Sequence, residues 1–189
     1  MSKKTLVLLG SPNKNSITKK LVEKLLIDVD TNNITYFDTY KMTIKPCVDC
    51  RYCFKEKGCS IKNDDMGKIY SGLEEADNVI LASPMHFGTF SAPIMNVFSR
   101  LQTYWSALNI RKEEPNTILK RKKGILCMAC GAQWLNMELI PNGISHIVFD
   151  HINANFDQSF YVKSSDYSDF QNNLELLEKI NSYKWVLKK

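Results

Sequence analysis

The sequence has no G-x-G-x-x-G fingerprint and no G-x-x-x-x-G-K-[ST] loop, so the repeated glycines that wrap a dinucleotide or a nucleoside triphosphate are missing. No apolar stretch reaches the roughly 18 residues that a membrane-spanning helix needs. The opening Met-Ser-Lys-Lys-Thr leads into only a short apolar run, so neither a signal peptide nor a span is expected. Internal repeats and linker-like composition shifts are also lacking, which leaves one domain over 1–189 as the expectation for a chain of 189 residues. The excess of positive charge is small: 25 Lys and Arg against 20 Asp and Glu give +5. It is scattered, with no basic stripe interleaved with aromatics, which argues against a nucleic-acid partner. A cytoplasmic protein with no membrane partner is expected, and in that reducing compartment six cysteines read as ligands, redox groups or small core residues rather than a disulfide framework.

What the chain does have begins at Thr5. Leu6 to Leu9 is a continuous apolar run, as in a strand buried on both faces of a parallel sheet. It stops at Gly10 and turns through Ser11, Asn13, Asn15, Ser16 and Thr18 into a helical pattern. Asn15 or Ser16 suits the helix cap, and hydroxyls, amides and free helix N–H groups collect in one place, where an anion such as a phosphate fits. An ordinary strand-to-helix loop with a polar cap is the competing reading.

The rest of the chain alternates. A helix over Ser16 to Asp28 presents Leu21, Val22, Leu25 and Leu26; Ile34 to Tyr40 reads as a strand at or near a sheet edge. A cysteine-rich loop at about 46–63 precedes a helix to about Ala76, whose start at Asp64-Asp65 suggests capping carboxylates. Asn78 to Ser83 is a third strand, ending in Pro84-Met-His-Phe-Gly88, and Ser91 to about Leu108 is one helix. Arg111 to Lys123 reads as a loop whose Lys120-Arg-Lys-Lys123 run is either a solvated approach to the next strand or a contact for a nicotinamide phosphate. Gly124 to Ala129 is a fourth strand ending in Cys130-Gly131. Leu135 to Asn153 is helical with an interruption near Pro141-Asn-Gly143, Asn155 to Val162 is a fifth strand, and Asp169 to Leu187 is a closing helix. This alternation predicts an α/β doubly wound, five-stranded parallel sheet. Strand order 2-1-3-4-5 puts a ligand crevice at the loops after Gly10, Ser83 and Ala129.

Cys47, Cys50, Cys53 and Cys59 follow C-x2-C-x2-C-x5-C, a run tight enough to wrap one polynuclear iron–sulfur centre, with Pro46 and Gly58 shaping the turns. A [4Fe–4S] cluster, cysteines without metal, and zinc are the alternatives, although structural zinc usually takes two separated pairs. Cys127 and Cys130 have a C-x-x-C spacing inside a strand, where no helix N-terminus lowers a thiol pKa, so Cys127 reads as core; Cys130 ends the strand toward the crevice. His86, Phe87, Trp105 and Trp134 are candidates to pack on a ligand ring or across an interface, whereas His146 and His151 read as structural.

These residues resemble the NAD(P)H-dependent FMN reductase branch of the flavodoxin-like superfamily, most closely its iron–sulfur flavoproteins. Gly10-Ser-Pro-Asn-Lys-Asn-Ser-Ile-Thr18 is similar to the family's phosphate loop, Ala76 to Gly88 to its segment along the isoalloxazine, and Pro46 to Cys59 with Asn63-Asp-Asp-Met66 to its compact cysteine motif. The likeness covers about residues 4 to 131. Asn13 stands where an arginine is usual and His86 where a tyrosine is common, and Met95 and Ser99 replace the lysine and aspartate of a K-x-x-x-D-R pattern. The resemblance implies a flavodoxin-like fold and FMN held by Ser11, Pro12, Asn13, Asn15, Ser16, Ile17 and Thr18, by Pro84, Met85, His86, Phe87 and Gly88, and by Cys130 and Gly131. It implies that backbone N–H groups around Met85 to Gly88 and near Gly131 polarise the ring. A [4Fe–4S] cluster on Cys47, Cys50, Cys53 and Cys59 is the implied metal centre, with NAD(P)H as a possible substrate, a small-molecule or protein electron partner, and a homodimer or homotetramer whose second subunit completes the pocket. No side chain needs to act as acid, base or nucleophile. Two alternatives to an oxidoreductase are an electron carrier or redox-responsive binding protein without turnover, and a phosphate-binding regulatory domain.

Overall fold

The computed structural model describes residues 3–167 and 169–187. Five parallel strands, β1 (Thr5–Leu9), β2 (Ile34–Asp38), β3 (Asn78–Pro84), β4 (Lys122–Ala129) and β5 (Ala154–Val162), form one sheet in the order β2-β1-β3-β4-β5. Strand β1 pairs Leu9 with Ala82 of β3, and β3 pairs Pro84 with Ala129 of β4, so the chain leaves these three strands at one edge of the sheet. Among the described residues no helix is long and apolar enough to cross a membrane.

Side chains alternate across a strand, and the core divides accordingly. Val7, Leu9, Ile80, Ala82, Ile125, Cys127 and Phe160 face α1 (Ile17–Leu26), which contributes Leu21, Val22, Leu25 and Leu26, and α8 (Leu174–Tyr183), which contributes Leu176, Ile180 and Tyr183. Leu6, Leu8, Val79, Leu81, Leu126 and Met128 face the other way. They are covered by Met66, Ile69 and Leu73 of α3 (Met66–Glu75), Ile94 and Val97 of α4 (Ala92–Arg100), Tyr104 of α5 (Gln102–Asn109), and Val148 and Phe149 of α7 (Leu139–His151). Each such side chain removes apolar surface worth roughly 1.5–3 kcal/mol from water, so the two faces together hold the sheet between helical layers. Cys127 is part of this core, and burial pushes its thiol pKa up. Two short helices lie in loops, α2 (Tyr52–Lys55) and α6 (Pro115–Ile118).

Several boundaries differ from the sequence-based expectation, each for a local reason. The helix over Ser91 to Leu108 is two helices. Tyr104 N–H turns to Leu101 O, which leaves the Arg100 carbonyl free to accept the Tyr70 hydroxyl at 2.8 Å. The helix over Leu135 to Asn153 starts only at Leu139 and then runs without interruption, because Pro141 falls in its first turn, where no N–H is needed. Strand β2 stops at Asp38, whose carboxylate and carbonyl turn the chain by accepting from Tyr40 and Lys41 N–H. The closing segment breaks into 3-10 turns around α8, which is capped by Asn173; Trp185, expected to face inward from it, has a side chain outside the described residues.

The Lys120–Lys123 run is a solvated approach in its first half, where Lys120 and Arg121 are exposed ahead of β4, and it lies away from the three loops. It starts β4, at the sheet edge opposite the loops, where Lys120 pairs with Asp77 at 2.8 Å and Lys122 is buried with its ammonium on Lys120 O. Burial brings the Lys122 pKa down to about 8. Gly124 of β4 lies so close to the Phe149 ring that a Cβ there would come within 2.5 Å of it. Gly124→Ala is therefore expected to cost about 1–3 kcal/mol by overpacking; a lowered urea midpoint at unchanged slope would show it, and an unchanged midpoint would mean the ring moves aside.

Candidate functional site

Three loops meet at the edge where β1, β3 and β4 end. Gly10 N–H donates to Ala82 O at 2.7 Å, and Met85 N–H donates to Ala129 O at 2.8 Å, stitching the first loop to the second and the second to the third. Glycine is required at position 10, because a Cβ would lie 2.5 Å from the Ile94 side chain and 2.6 Å from the Ser91 hydroxyl.

In the first loop, Asn13 Oδ1 accepts from Asn15 N–H at 2.9 Å and its carbonyl from Ser16 N–H at 3.1 Å; Ser16 Oγ in turn caps Lys19 N–H at 3.2 Å. Asn13, standing where the resembled family has arginine, thus builds the turn through its own backbone-directed side chain. Pro12, Asn13 and Asn15 are exposed, Ser16 and Ile17 half-buried, while Ser11 and Thr18 are buried. The start of α1 at Ile17 and Thr18 leaves helix N–H groups at the rim, the end of the helix that favours an anion.

In the second loop, His86 and Thr89 exchange backbone hydrogen bonds at 2.9 and 3.0 Å, closing a tight hairpin with Phe87 and Gly88 at its tip. Both tip residues have positive φ, 49° and 77°, as a two-residue hairpin of primed type requires. Such a conformation is strained for phenylalanine, and it leaves the Phe87 ring fully exposed at the rim. Met85 and His86, expected to offer N–H groups to a ring, have already committed them to Ala129 and Thr89. Among the described residues the N–H groups of Phe87 and Gly88 have no protein partner, nor has that of Gly131. Just behind the tip, the hydroxyls of Thr89 and Ser91 are buried without a partner.

The third loop departs from expectation at Cys130. Its side chain is buried, with Sγ 3.5 Å from Val162 O and 4.0 Å from Met137 Sδ, so the thiol is turned into the protein rather than toward the crevice. Burial raises its pKa. Gly131 lies under the exposed Asp166 carboxylate, 2.1 Å from where a Cβ would stand, so a side chain there would push that carboxylate aside.

The cysteine loop leaves β2 at the same edge. Asp49, Arg51 and Gly58 take positive φ, which curls the chain tightly between the cysteines. Cys47, Cys50, Cys53 and Cys59 together line one cavity of about 280 Å³, with Ser60, Arg100 and Thr103. Cys50 Sγ lies 3.1 Å from Ser60 Oγ and Cys53 Sγ lies 3.2 Å from Ser106 Oγ; Cys47 N–H donates to Ser99 Oγ at 3.0 Å. The Ser60 contact, with the Tyr52 backbone, holds the Cys50 thiol below its usual pKa. Arg111 clasps the far side through Cys53 O and Glu56 O. Trp105 tilts against Phe54 of the loop at 6.1 Å and so supports the cysteines, away from the hairpin. Among the described residues no three Cys, His, Asp or Glu side chains converge on a single metal ion.

Sequence reasoning missed the clamp beneath this loop. Asp64 does more than cap α3: one oxygen accepts from Met66 N–H at 3.2 Å, while the other accepts from Lys45 N–H at 3.1 Å and forms a 2.6 Å ion pair with Arg100. The two side chains are 1% and 0% exposed. Arg100 also donates to Lys45 O and Ile61 O, both at 2.9 Å. The available signal was an arginine among Ile94, Val97 and Leu101 on the apolar face of a helix, where a charge needs a buried partner. Asp65 accepts from Thr43 N–H at 2.8 Å and from the Lys68 ammonium, again bracing the loop.

Burial opposes ionisation of Asp64, yet its hydrogen bonds from Arg100, Lys45 and Met66 outweigh that and hold the carboxyl below the usual value of 3.8. A carboxyl that is more acidic when folded stabilises fully above the unfolded value of about 4 and loses that contribution as pH falls through the folded one. Asp64→Asn should therefore flatten the acid limb of the stability profile, while at neutral pH losing roughly 3–5 kcal/mol by stranding Arg100. Chemical unfolding from pH 7 to pH 3 measures both, and an acid limb as steep as that of the parent would assign it to other carboxylates.

The sequence model of NADPH-dependent FMN reductases matches residues 3–152. Over shorter stretches the chain is similar to proteins named iron–sulfur flavoprotein. One from Archaeoglobus fulgidus is 35% identical over 99 residues, 52% of this chain and 50% of the relative. Another from Methanosarcina thermophila is 31% identical over 127 residues, 66% of this chain and 61% of the relative. The chain spans about half the length of several of these relatives. In fold it is similar to an FMN-dependent NADH-azoreductase from Bacillus anthracis in complex with FMN, at TM-score 0.70 and 14% identity over 99% of this chain and 100% of that one. It is likewise similar to an NAD(P)H:quinone oxidoreductase from Methanothermobacter marburgensis, at TM-score 0.72 and 15% identity over 100% and 98%. With a family match over most of its length and a flavodoxin-like sheet ending in this three-loop rim, the chain belongs to the NADPH-dependent FMN reductase family.

Proposed function

We propose that the protein is an oxidoreductase that holds FMN on the three-loop rim and a [4Fe–4S] cluster on Cys47, Cys50, Cys53 and Cys59, and passes electrons between NAD(P)H or another donor and a small-molecule or protein acceptor. The observation that carries this reading is the single cavity lined by all four cysteines, in a loop that leaves the same sheet edge as the FMN loops. The groups present fit both cofactors. For FMN the rim offers helix N–H groups at Ile17 and Thr18, free N–H groups at Phe87, Gly88 and Gly131, and the partnerless hydroxyls of Thr89 and Ser91. For the cluster the cavity offers four thiols, the Ser60 hydroxyl and the Arg100 guanidinium, with Ser106 behind Cys53.

Bound there, a flavin exchanges two electrons as hydride or one at a time, and a cluster exchanges single electrons. The first loop's part is to fix the phosphate end through Asn13, Asn15, Ser16 and the start of α1. The hairpin's part is to hold donors at the ring edge without rearrangement, since the His86–Thr89 bonds preset its tip. Phe87 and Trp134 supply apolar surface that keeps water from the ring face. Cytoplasmic residence belongs to the same reading, because four ligating thiolates need a reducing compartment.

The proposal includes a homodimer or homotetramer. Leu135, Leu139 and Ile140 are exposed next to the rim, and Ile140 comes within 3.8 Å of where a Gly88 side chain would begin. An apolar cluster at the mouth of a binding site suits a second copy that covers the ligand. Leu135→Asp is expected to give monomers by analytical ultracentrifugation together with weaker retention of FMN; a variant that stays assembled and yellow would remove this surface from the interface.

The decisive measurement is iron, acid-labile sulfide and flavin in protein purified without oxygen. About four irons and four sulfides per flavin are expected, and Cys53→Ser should lose the iron while keeping FMN. Flavin without iron in the parent protein would leave an FMN reductase whose cysteine loop has another role, and steady-state NADPH oxidation with a quinone or ferricyanide acceptor tests turnover in either case.

A further inference from the structure

Arg100 is more elaborately held than a helix-packing residue requires. Its Nη1 bonds Lys45 O and Asp64, its Nη2 bonds Ile61 O, and its carbonyl takes the Tyr70 hydroxyl. One group is left over: the Nε–H is buried and has no partner. A buried unpaired donor on a charged side chain costs on the order of 1–3 kcal/mol or more, so it marks a place where something is expected to accept. The guanidinium lines the cysteine cavity together with Cys59.

The other sulfurs show a pattern. Cys50 is met by the Ser60 hydroxyl at 3.1 Å, and Cys53 by the Ser106 hydroxyl at 3.2 Å. Ser106 is itself fully buried on α5, so its placement against a sulfur is built into the fold. Two of the four cysteines therefore each face a serine hydroxyl, and Ser106, like Arg100, comes from the α4–α5 pair rather than from the loop.

Resting on the cluster reading above, we propose that Arg100 is a positioning residue that donates its free N–H to a sulfur of the cysteine-bound cluster and, with Ser60 and Ser106, raises the cluster's reduction potential. A donor to sulfur stabilises negative charge there, and the reduced cluster carries one more negative charge than the oxidised one, so the bond strengthens on reduction. Asp64 neutralises the guanidinium, so the effect is directional, through the N–H, rather than a bare positive charge near the site. The pair also explains why an arginine is used: its fork binds two carbonyls and a carboxylate on one side and still points a fixed fifth donor elsewhere.

The test is a redox titration of the cluster, followed by its visible absorption under anaerobic conditions with iron and sulfide content measured on the same samples. The double variant Asp64→Asn with Arg100→Gln leaves no stranded charge. On the fraction that retains four irons it is expected to show at least a tenfold lower ratio of reduced to oxidised cluster at a given potential, a negative shift of about 59 mV for a one-electron couple. Asp64→Asn alone keeps the N–H and should not shift the potential negatively. Ser106→Ala, which leaves Arg100 and its partners in place, should shift it negatively by less than the double variant. Unchanged potentials in both the double variant and Ser106→Ala, with four irons retained, would overturn the proposal and reduce Arg100 to a structural clamp. A parent protein that binds FMN but takes up no iron or sulfide would instead overturn the cluster reading, and this inference with it.

Discussion

The ion pair between Asp64 and Arg100 is the interaction on which the cysteine side of the molecule depends. Between the end of β2 and the start of α3 the chain has no strand to pair with and only the four-residue α2, so its position has to come from elsewhere. It comes from charge. Two fully buried, oppositely charged side chains must stay together, because separating them in a low dielectric leaves each without water or partner. Arg100 is fixed by α4 against the sheet, Asp64 leads into α3, and the guanidinium additionally gathers Lys45 O and Ile61 O from the two ends of the cysteine loop. A loop pinned at both ends over one rigid helix can hold four thiols around one cavity.

The parallel sheet supplies the second constraint. All five strands run the same way, so every crossover returns the chain to start again at one edge and all loops of functional interest collect at the other. Binding groups there are mainly backbone: the start of α1, the hairpin tip, and Gly131. Backbone donors are positioned by hydrogen bonds within the loops themselves, Asn13 with Asn15 and His86 with Thr89, so the rim is organised before any ligand arrives. The cost is visible in the positive φ of Phe87, a strain of the kind that persists where a site over-determines it. Aromatic and aliphatic residues that would be buried in a closed monomer, Phe87, Trp134, Leu135, Leu139 and Ile140, stand around that rim.

Much of the architecture was legible from periodicity. Continuous apolar runs at Leu6–Leu9, Asn78–Ser83 and Gly124–Ala129 became the three central strands, and the mixed pattern at Ile34 became the edge strand β2. The cysteine spacing pointed to one shared centre because short turns between cysteines two or five residues apart let the loop curl the thiols together, and they line one cavity. Misplaced boundaries came where one residue's role depended on a partner far away: the break at Leu101 goes with an Arg100 carbonyl that accepts from the Tyr70 hydroxyl, and Lys122 entered β4 although its neighbours read as solvated. Cys130 was expected at the crevice because strand ends face it, but the side-chain direction just past the end of a strand is decided by what packs there, here Met137 and Val162.

The sequence by itself determined the alternation of strands and helices, the loops that bear binding groups and the close set of four cysteines, since these follow from the order and spacing of residue types along the chain. Tertiary structure alone decided which backbone N–H groups remain free at the rim, that Asp64 pairs with Arg100 rather than only capping a helix, and that serine hydroxyls reach two of the four sulfurs while Arg100 lines the same cavity. These are contacts between residues 10 to 53 positions apart, set by the packing of helices on the sheet, and no local pattern encodes them.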